Sequence, residues 1–341
     1  MTMHSKNNTT IKSLRTHYSS PSCIEDVESF IAQWYDDSNY LSLQTSGSTG
    51  DKKLILAEKN HLIASAKMTG RFFNFSENTK ALICLPLNFI SGKMMVIRCL
   101  EFNMNAIICP AGQPLDFPDN CEVDFAAMTP YQYEKALHEH PEKTRSIKTI
   151  LLGGAPISEL LKKRIVEINQ DVFHSYGMTE TYSHIALRRI NENNEPFQVL
   201  PGISCLQAPD ETLIISAPFL GVNELKTNDI VSFVGPDSFH FLGRKDFVVN
   251  SGGIKLHPEE LEKKLSALNW TFNYFFFGLS DDTFGEKLVL FVETEQTINI
   301  KELGDILSKY EQPKIIYNCE AFVYTESGKI NRKLTSEKFS I

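Results

Sequence analysis

The chain has 341 residues, 42% of them apolar and 22% charged, with a net charge of −8 at pH 7, and reads as globular with chain enough for a sizeable core. That acidity argues against a broad nucleic-acid-binding face and leaves any anionic ligand to a few local cations. The seven cysteines (23, 84, 99, 109, 121, 205 and 319) are scattered and form no C-x-x-C pair, which argues for reduced thiols in a cytoplasmic protein and against a disulfide framework or a zinc site.

The polar N-terminus "MTMHSKNNTTIKSLRTHYSSPSC" is no secretory signal. "EDVESFIAQWY" has helical spacing, "YLSLQ" and "KLILA" read as strands joined like a hairpin, and "EKNHLIASAKMTGRFF" is an amphipathic helix. The longest apolar run, Met94–Cys109, is broken by Arg98, Glu101 and two asparagines, so it cannot span a membrane. Short apolar segments then recur: "ALICLPL", "NAIICP", "DFAAMTP", "TILLGGAP" and "DVFHSYG". Helical stretches such as "PYQYEKALHEH" and "SELLKKRIVEIN" separate some of them, the pattern of parallel strands with crossover helices. Strand signals dominate from "TLIISAPF" to "SFHFLG".

Beyond "FLGRKDFVV" the character changes. "HPEELEKKLSAL" predicts a helix with Pro258 in its first turn and acids at its positive end. "NYFFFGLSDDTFGEKLVLFVE" predicts two strands around a turn and "IIYNCEAFVY" a third, and "TESGKINRKL" a loop entering a terminal helix. The expected organisation is α/β: a large body over residues 1–243 and a small α+β cap over 244–341.

The stretch "TSGSTGDKK" (Thr45 to Lys53) joins the two hairpin strands. It is not a P-loop, because the position five after Gly47 is Lys52 and the following element is a strand. Its glycines can still turn backbone N–H groups toward an anion, its hydroxyls add donors, and Lys53 adds charge. By itself such a loop is equally an ordinary Ser/Gly/Thr turn.

Further motifs follow in order: "LLGGAP" (Leu151–Pro156), "SYGMTET" (Ser175–Thr181), "LKTNDIV" (Leu225–Val231), "GRKDFVVNSGGIKLHPEELE" (Gly243–Glu262) and "ESGKINR", which carries Lys329. The set resembles the adenylate-forming superfamily of acyl-CoA synthetases, peptide-synthetase adenylation domains and luciferases, from about Leu41 to the C-terminus. "YGMTET" and "VVNSGGIKLHPEELE" are most similar to its 2-succinylbenzoate–CoA ligase branch in menaquinone biosynthesis.

The resemblance implies the adenylate-forming fold, with ATP, Mg²⁺ and coenzyme A as reactants beside a carboxylic acid. Thr45, Ser46, Gly47, Ser48, Thr49, Gly50 and Lys53 match the loop around the β- and γ-phosphates. Gly153, Gly154, Ala155 and Pro156 match the segment along the adenine ring, with Tyr176 over its other face inside Ser175–Met178 (Ser175, Tyr176, Gly177, Met178). Thr179 and Glu180 match a hydroxyl for the α-phosphate and a carboxylate for magnesium. Asp229 matches the acid for both ribose hydroxyls and Arg244 a ribose- and phosphate-facing cation. Lys329 matches the catalytic lysine, Lys245 or Asp246 the joint, and Gly252, Gly253 and Lys255 the coenzyme A face. "PLNFISGKMMVIRCL" matches the acyl-pocket helix with Ser91 and Gly92, and Arg98 is the candidate for a second carboxylate, against the plainer reading of a helix cation reaching the surface.

Two departures stand out. Lys52 replaces a proline, and Asn228 replaces the glycine of Thr-Gly-Asp, where asparagine is expected to support a left-handed turn before the strand. Relatives in the superfamily have a much longer stretch before the phosphate loop, so a shortened N-terminal lobe is expected, with a homodimer as one way to cover the surface. The alternatives are a ligase for another acid, a carrier-loading adenylation domain and a non-catalytic nucleotide-binding homologue.

Overall fold

The computed structural model describes residues 14–20, 23–44, 54–113, 115–268, 270–324 and 330–340. The expected phosphate loop and Lys329 therefore lie outside the described residues.

β1 (Arg15–Ser19) and α1 (Ile24–Trp34) come first, then β2 (Tyr40–Gln44) and β3 (Leu54–Glu58), which pair antiparallel from Tyr40↔Glu58 to Gln44↔Leu54 as the hairpin reading expects. α2 (Lys59–Phe72) leads to an alternating run: β4 (Lys80–Ile83), α3 (Ile90–Phe102), β5 (Asn105–Ile108), β6 (Phe125–Met128), α4 (Pro130–Glu139), α5 (Pro141–Arg145), β7 (Thr149–Leu152), α6 (Glu159–Glu167) and β8 (Asp171–Gly177). An antiparallel series follows: β9 (His184–Arg189), β10 (Phe197–Val199), β11 (Ser204–Gln207), β12 (Thr212–Ala217), β13 (Val222–Gly235) and β14 (Ser238–Arg244). All but β2 and β3 of these strands form one twelve-stranded sheet, ordered β1-β5-β4-β6-β7-β8-β9-β10-β14-β13-β12-β11.

The sheet changes character at one line. From β1 to β8 every pairing is parallel, and from β8 onward every pairing is antiparallel. Alternate residues of the parallel strands enter two different cores. Ala81, Ile83 and Ala127 pack with α1–α3, whereas Leu82, Ala126 and Met128 pack with α4 and α6. Strands covered on both faces read as the continuous apolar runs seen in the sequence.

The remainder forms a second sheet: β15 (Val249–Ser251), β16 (Ile254–Leu256), α7 (Pro258–Leu265), β17 (Tyr274–Asp281), β18 (Gly285–Val292), α8 (Ile300–Leu303), β19 (Ile315–Asn318) and α9 (Arg332–Phe339). Its two cores draw on residues from Val249 onward. A bidentate pair from Arg332 to Glu262 (2.7 and 2.8 Å) ties α9 to α7.

Two expectations are corrected, and one strand lies where the sequence reading named no element. The tail contains β1, a polar edge strand whose order comes from pairing with β5 and not from its own pattern. "IIYNCEAFVY" is a strand only to Asn318, because beyond it the backbone bonds side chains: the Phe322 N–H donates to Glu293 Oε1 at 2.7 Å. Asn228 lies inside the long strand β13 and has no positive φ, so Asp229 sits mid-strand opposite Arg244 and not after a left-handed turn. Among the described residues no helix is long and apolar enough to cross a membrane.

Candidate active site

The line where the sheet changes from parallel to antiparallel is also where the sequence motifs meet. In open α/β sheets the carboxyl ends of parallel strands are the usual ligand edge, since backbone groups and loops converge there. Here β7 ends in Gly153–Pro156 and β8 ends in Ser175–Gly177.

Two side chains on β8 clamp the exit of β7. Ser175 Oγ donates to the Leu152 carbonyl at 2.9 Å, and His174 Nε2 lies 3.3 Å from the Ala155 carbonyl. Arg188 Nη2 approaches the other ring nitrogen, His174 Nδ1, at 3.1 Å. A guanidinium can only donate, so Nδ1 accepts and Nε2 carries the hydrogen. Burial, aided by Arg188, holds His174 down to about 3, which keeps it neutral. Gly153 is forced by the same clamp, because a Cβ there would lie 2.5 Å from Ser175 Oγ.

The chain then turns through a single 3-10 turn, Thr179–Thr181. The Thr181 hydroxyl ties it, accepting from the Met178 N–H (3.1 Å) and giving its single hydrogen to the Ser183 carbonyl (2.8 Å), with the Met178 carbonyl at 3.0 Å as the other acceptor in reach. Any Cβ at Gly177 would come within 2.3 Å of the Ser183 carbonyl oxygen, so the close return of the chain requires glycine. This leaves Thr179 half-buried and Glu180 exposed. Among the described residues no cation pairs with Glu180, so its oxygens are hard donors open to a divalent cation. No cluster of three or more His, Cys, Asp or Glu that could cage a metal occurs among the described residues.

Tyr176 reaches from β8 across the sheet. Its hydroxyl donates to Asp229 Oδ2 at 2.6 Å, and its ring packs edge-on against Phe239 with centroids 5.2 Å apart. The Thr227 hydroxyl accepts from the Asp229 N–H (3.1 Å) and donates to the Leu213 carbonyl (3.0 Å), which sets the carboxylate's backbone. Arg244 faces Asp229 across the β13–β14 pair at 3.7 Å and pairs with Asp246 at 2.6 Å. Burial would lower the Arg244 guanidinium, but Asp246, Asp229 and Glu259 outweigh it and raise it. The joint residue Lys245 pairs with Asp210 (2.9 Å), which Lys226 also holds at 2.9 Å.

Arg98 belongs to a different environment. It lies in α3 with 2% exposure, so the surface-cation reading fails. Its Nη2 donates to Ser183 Oγ at 2.6 Å, just past the 3-10 turn; among the described residues its Nη1 meets only the Met95 sulfur at 3.5 Å, and its buried Nε has no partner. No carboxylate among the described residues pairs with it. Burial pushes its guanidinium down, to about 10, so the charge is retained at neutral pH. Gly92 lies under the backbone of Leu85 and Pro86, Ser91 is exposed, and Lys93 sits 5.3 Å from the Phe30 ring.

The structure thus brings together Gly153, Ala155, Ser175–Glu180, Asp229 and Arg244, and sets Arg98 against Ser183. Gly252 and Gly253 lie apart as the tip of the β15–β16 hairpin, with φ of +59° and +83°, and Lys255 is exposed on β16. Sequence reasoning missed Thr69, Ser183, His184 and Glu259. A histidine opening the apolar run "HIAL" was the one available signal.

The sequence profile of the AMP-binding enzyme family matches residues 18–208, more than half of the chain, and the chain belongs to that family of AMP-forming ligases. It is 33% identical to a crystallised acyl-CoA synthetase (AMP-forming)/AMP-acid ligase II-like protein from Dyadobacter fermentans, covering 92% of this chain and 93% of that one with a TM-score of 0.61. Over 320 residues it is 26% identical to the 2-succinylbenzoate–CoA ligase of Staphylococcus epidermidis, covering 85% of this chain and 68% of the relative. The Bacillus subtilis o-succinylbenzoate coenzyme A synthetase, solved with ATP and magnesium, shares the fold at 23% identity and a TM-score of 0.76, over 86% of this chain and 69% of that one.

Proposed function

We propose that this protein joins a carboxylic acid to coenzyme A in two steps, and that the acid is 2-succinylbenzoate. In the first step a carboxylate oxygen attacks the α-phosphorus of ATP and pyrophosphate leaves, giving an acyl-AMP. In the second the coenzyme A thiol attacks the acyl carbon and AMP leaves.

The roles are assigned to the motif residues, of which the Thr45–Lys53 loop and Lys329 lie outside the described residues. Asp229, held by Tyr176, faces the ribose, and the Gly153–Pro156 exit lies along the adenine. Thr179 donates its hydroxyl to the α-phosphate. Magnesium bound at Glu180 would spread the phosphate charge. The Thr45–Lys53 loop holds the outer phosphates. Lys329 bridges the two anions that meet in the first step, which lowers their repulsion. The cap over 244–341 turns at Lys245 and Asp246, so that Gly252, Gly253 and Lys255 serve the thiol step.

What supports the choice of acid most is Arg98. A buried guanidinium with no carboxylate partner among the described residues is costly in an apolar acyl pocket, and a ligand with a second carboxylate removes that cost. Release of AMP with ATP, Mg²⁺ and coenzyme A across a panel of acids tests the proposal. The expected result is preference for 2-succinylbenzoate, and equal or better use of monocarboxylates would reject the acid. Lys329→Ala should slow adenylation severely while ATP still binds. Unchanged pyrophosphate exchange would remove Lys329 from the first step.

A further inference from the structure

α2 and α3 cross so closely that a Cβ at Gly70 would fall 2.1 Å from the Phe102 ring. In this crossing a file of hydrogen bonds links Arg98 on α3 to Thr69 on α2 through the start of β9. Arg98 Nη2 lies 2.6 Å from Ser183 Oγ, Ser183 Oγ 3.3 Å from His184 Nδ1, and His184 Nε2 3.2 Å from Thr69 Oγ1, which bonds the Ser65 carbonyl at 3.2 Å. Thr69, Arg98 and His184 are all buried.

One arrangement of the protons gives every group in this file a partner. A guanidinium only donates, so the Ser183 oxygen accepts from Arg98 and directs its own hydrogen to His184 Nδ1. At the far end the Thr69 hydrogen is committed to the Ser65 carbonyl, a back-bond of the kind threonine makes inside helices. Its lone pair therefore takes the hydrogen on His184 Nε2. Burial, with Arg98 beside it, holds His184 well below its ordinary value, so the ring is neutral.

We propose that Thr69, His184 and Ser183 are positioning residues that hold the Arg98 guanidinium in one orientation and leave its Nε edge for the non-reacting carboxylate of a dicarboxylic acid. This rests on the reading of Arg98 given above. The chemistry of the file explains why no carboxylate does the job. An acidic residue in place of Ser183 would orient Arg98 but also neutralise it, and would compete with the substrate. A hydroxyl orients without neutralising, provided its own hydrogen is committed elsewhere. His184 supplies that commitment, and Thr69 fixes which tautomer His184 adopts.

The test compares kcat/KM for 2-succinylbenzoate with that for 4-oxo-4-phenylbutanoate, which lacks the ring carboxylate. Arg98→Met should lower the ratio about 100-fold. Ser183→Ala and Thr69→Val should each lower it about tenfold, through KM for the dicarboxylate, while Ser183→Thr and Thr69→Ser keep it. If Arg98→Met lowers the ratio and the other two leave it at the wild-type value, the positioning inference is wrong and the Arg98 reading stands. If Arg98→Met has no effect, or the wild-type protein does not prefer the dicarboxylate, the Arg98 reading fails and takes the inference with it. Histidine ¹⁵N spectra of the wild-type protein provide a readout that needs no variant to fold. His184 should be neutral with hydrogen on Nε2, and a ring protonated at Nδ1 would overturn the proposal.

Discussion

Arg244, half-buried opposite Asp229, and Arg98, buried against Ser183, stand in opposite electrostatic surroundings. Arg244 is flanked by carboxylates: Asp229 at 3.7 Å, Asp246 at 2.6 Å, and Glu259 beneath its backbone. Arg98 has a serine hydroxyl and a methionine sulfur. The first is raised by its neighbours and the second is lowered by its burial. A cation already neutralised by the protein adds rigidity and direction to the nucleotide side. A cation left without a counter-charge stores an unfavourable energy that only an incoming anion relieves. On the proposed function, the contrast separates the part of the site that every substrate of the reaction would share from the part that would select the acid.

Acid offers the strongest lever on this contrast, because neutral histidines stand beside two of the buried guanidinium groups. His184 lies beside Arg98, and His174 beside Arg188. Both have folded-state values below the unfolded 6.5, so the folded state binds fewer protons than the unfolded state in that window. Their contribution is fully present above pH 6.5 and is lost as the pH falls, down to about 3 for His174. For His174 the loss is on the order of 1 kcal/mol per pH unit across that window, and His184 acts in the same direction. Urea unfolding of the wild-type protein and of His174→Gln at neutral pH and at about pH 5 separates this from Glu262, which burial raises to about 7 and which acts in the opposite direction; a difference between the two proteins that does not change with pH would mean that His174 is not held neutral.

Replacing the arginines themselves should give effects of opposite sign. Arg244→Met removes the guanidinium beside Asp229 and Asp246, while Asp229 keeps the Tyr176 hydroxyl, and should lower the unfolding free energy by about 1 kcal/mol. Arg98→Met removes an unpaired charge and should leave the protein as stable as before or raise it by about 1 kcal/mol. Equal losses from both would erase the distinction drawn here. The smallest effect belongs to Lys245→Ala. Asp210 keeps Lys226 and the Thr212 hydroxyl, so the melting temperature should move by about 1 °C or less. A clearly larger drop would show that the joint is fastened more tightly than its exposed ion pairs suggest.

The parallel half of the large sheet was legible in the sequence because strands buried on both faces must be continuously apolar, and the helices between them carry amphipathic spacing. β1 was not legible, since a polar edge strand takes its order from a neighbour, and β9 to β11 lacked a distinctive pattern. The motif residues around β7 and β8 could be named from their order along the chain. The course of β13 could not be read, because Asn228 carries the same local signal in an extended strand as in a turn, and only pairing with β12 and β14 distinguishes them.

Residue types and their local spacing were therefore enough to announce helices and paired strands and, by resemblance, a set of adenylate-forming motifs, since each is written in neighbouring residues. Partners were not, because they come from far along the chain: Tyr176 with Asp229, Arg98 with Ser183, His184 with Thr69. Whether a buried charge is matched or left open depends on which distant groups packing brings within about 3–4 Å, and the tertiary structure alone decided that.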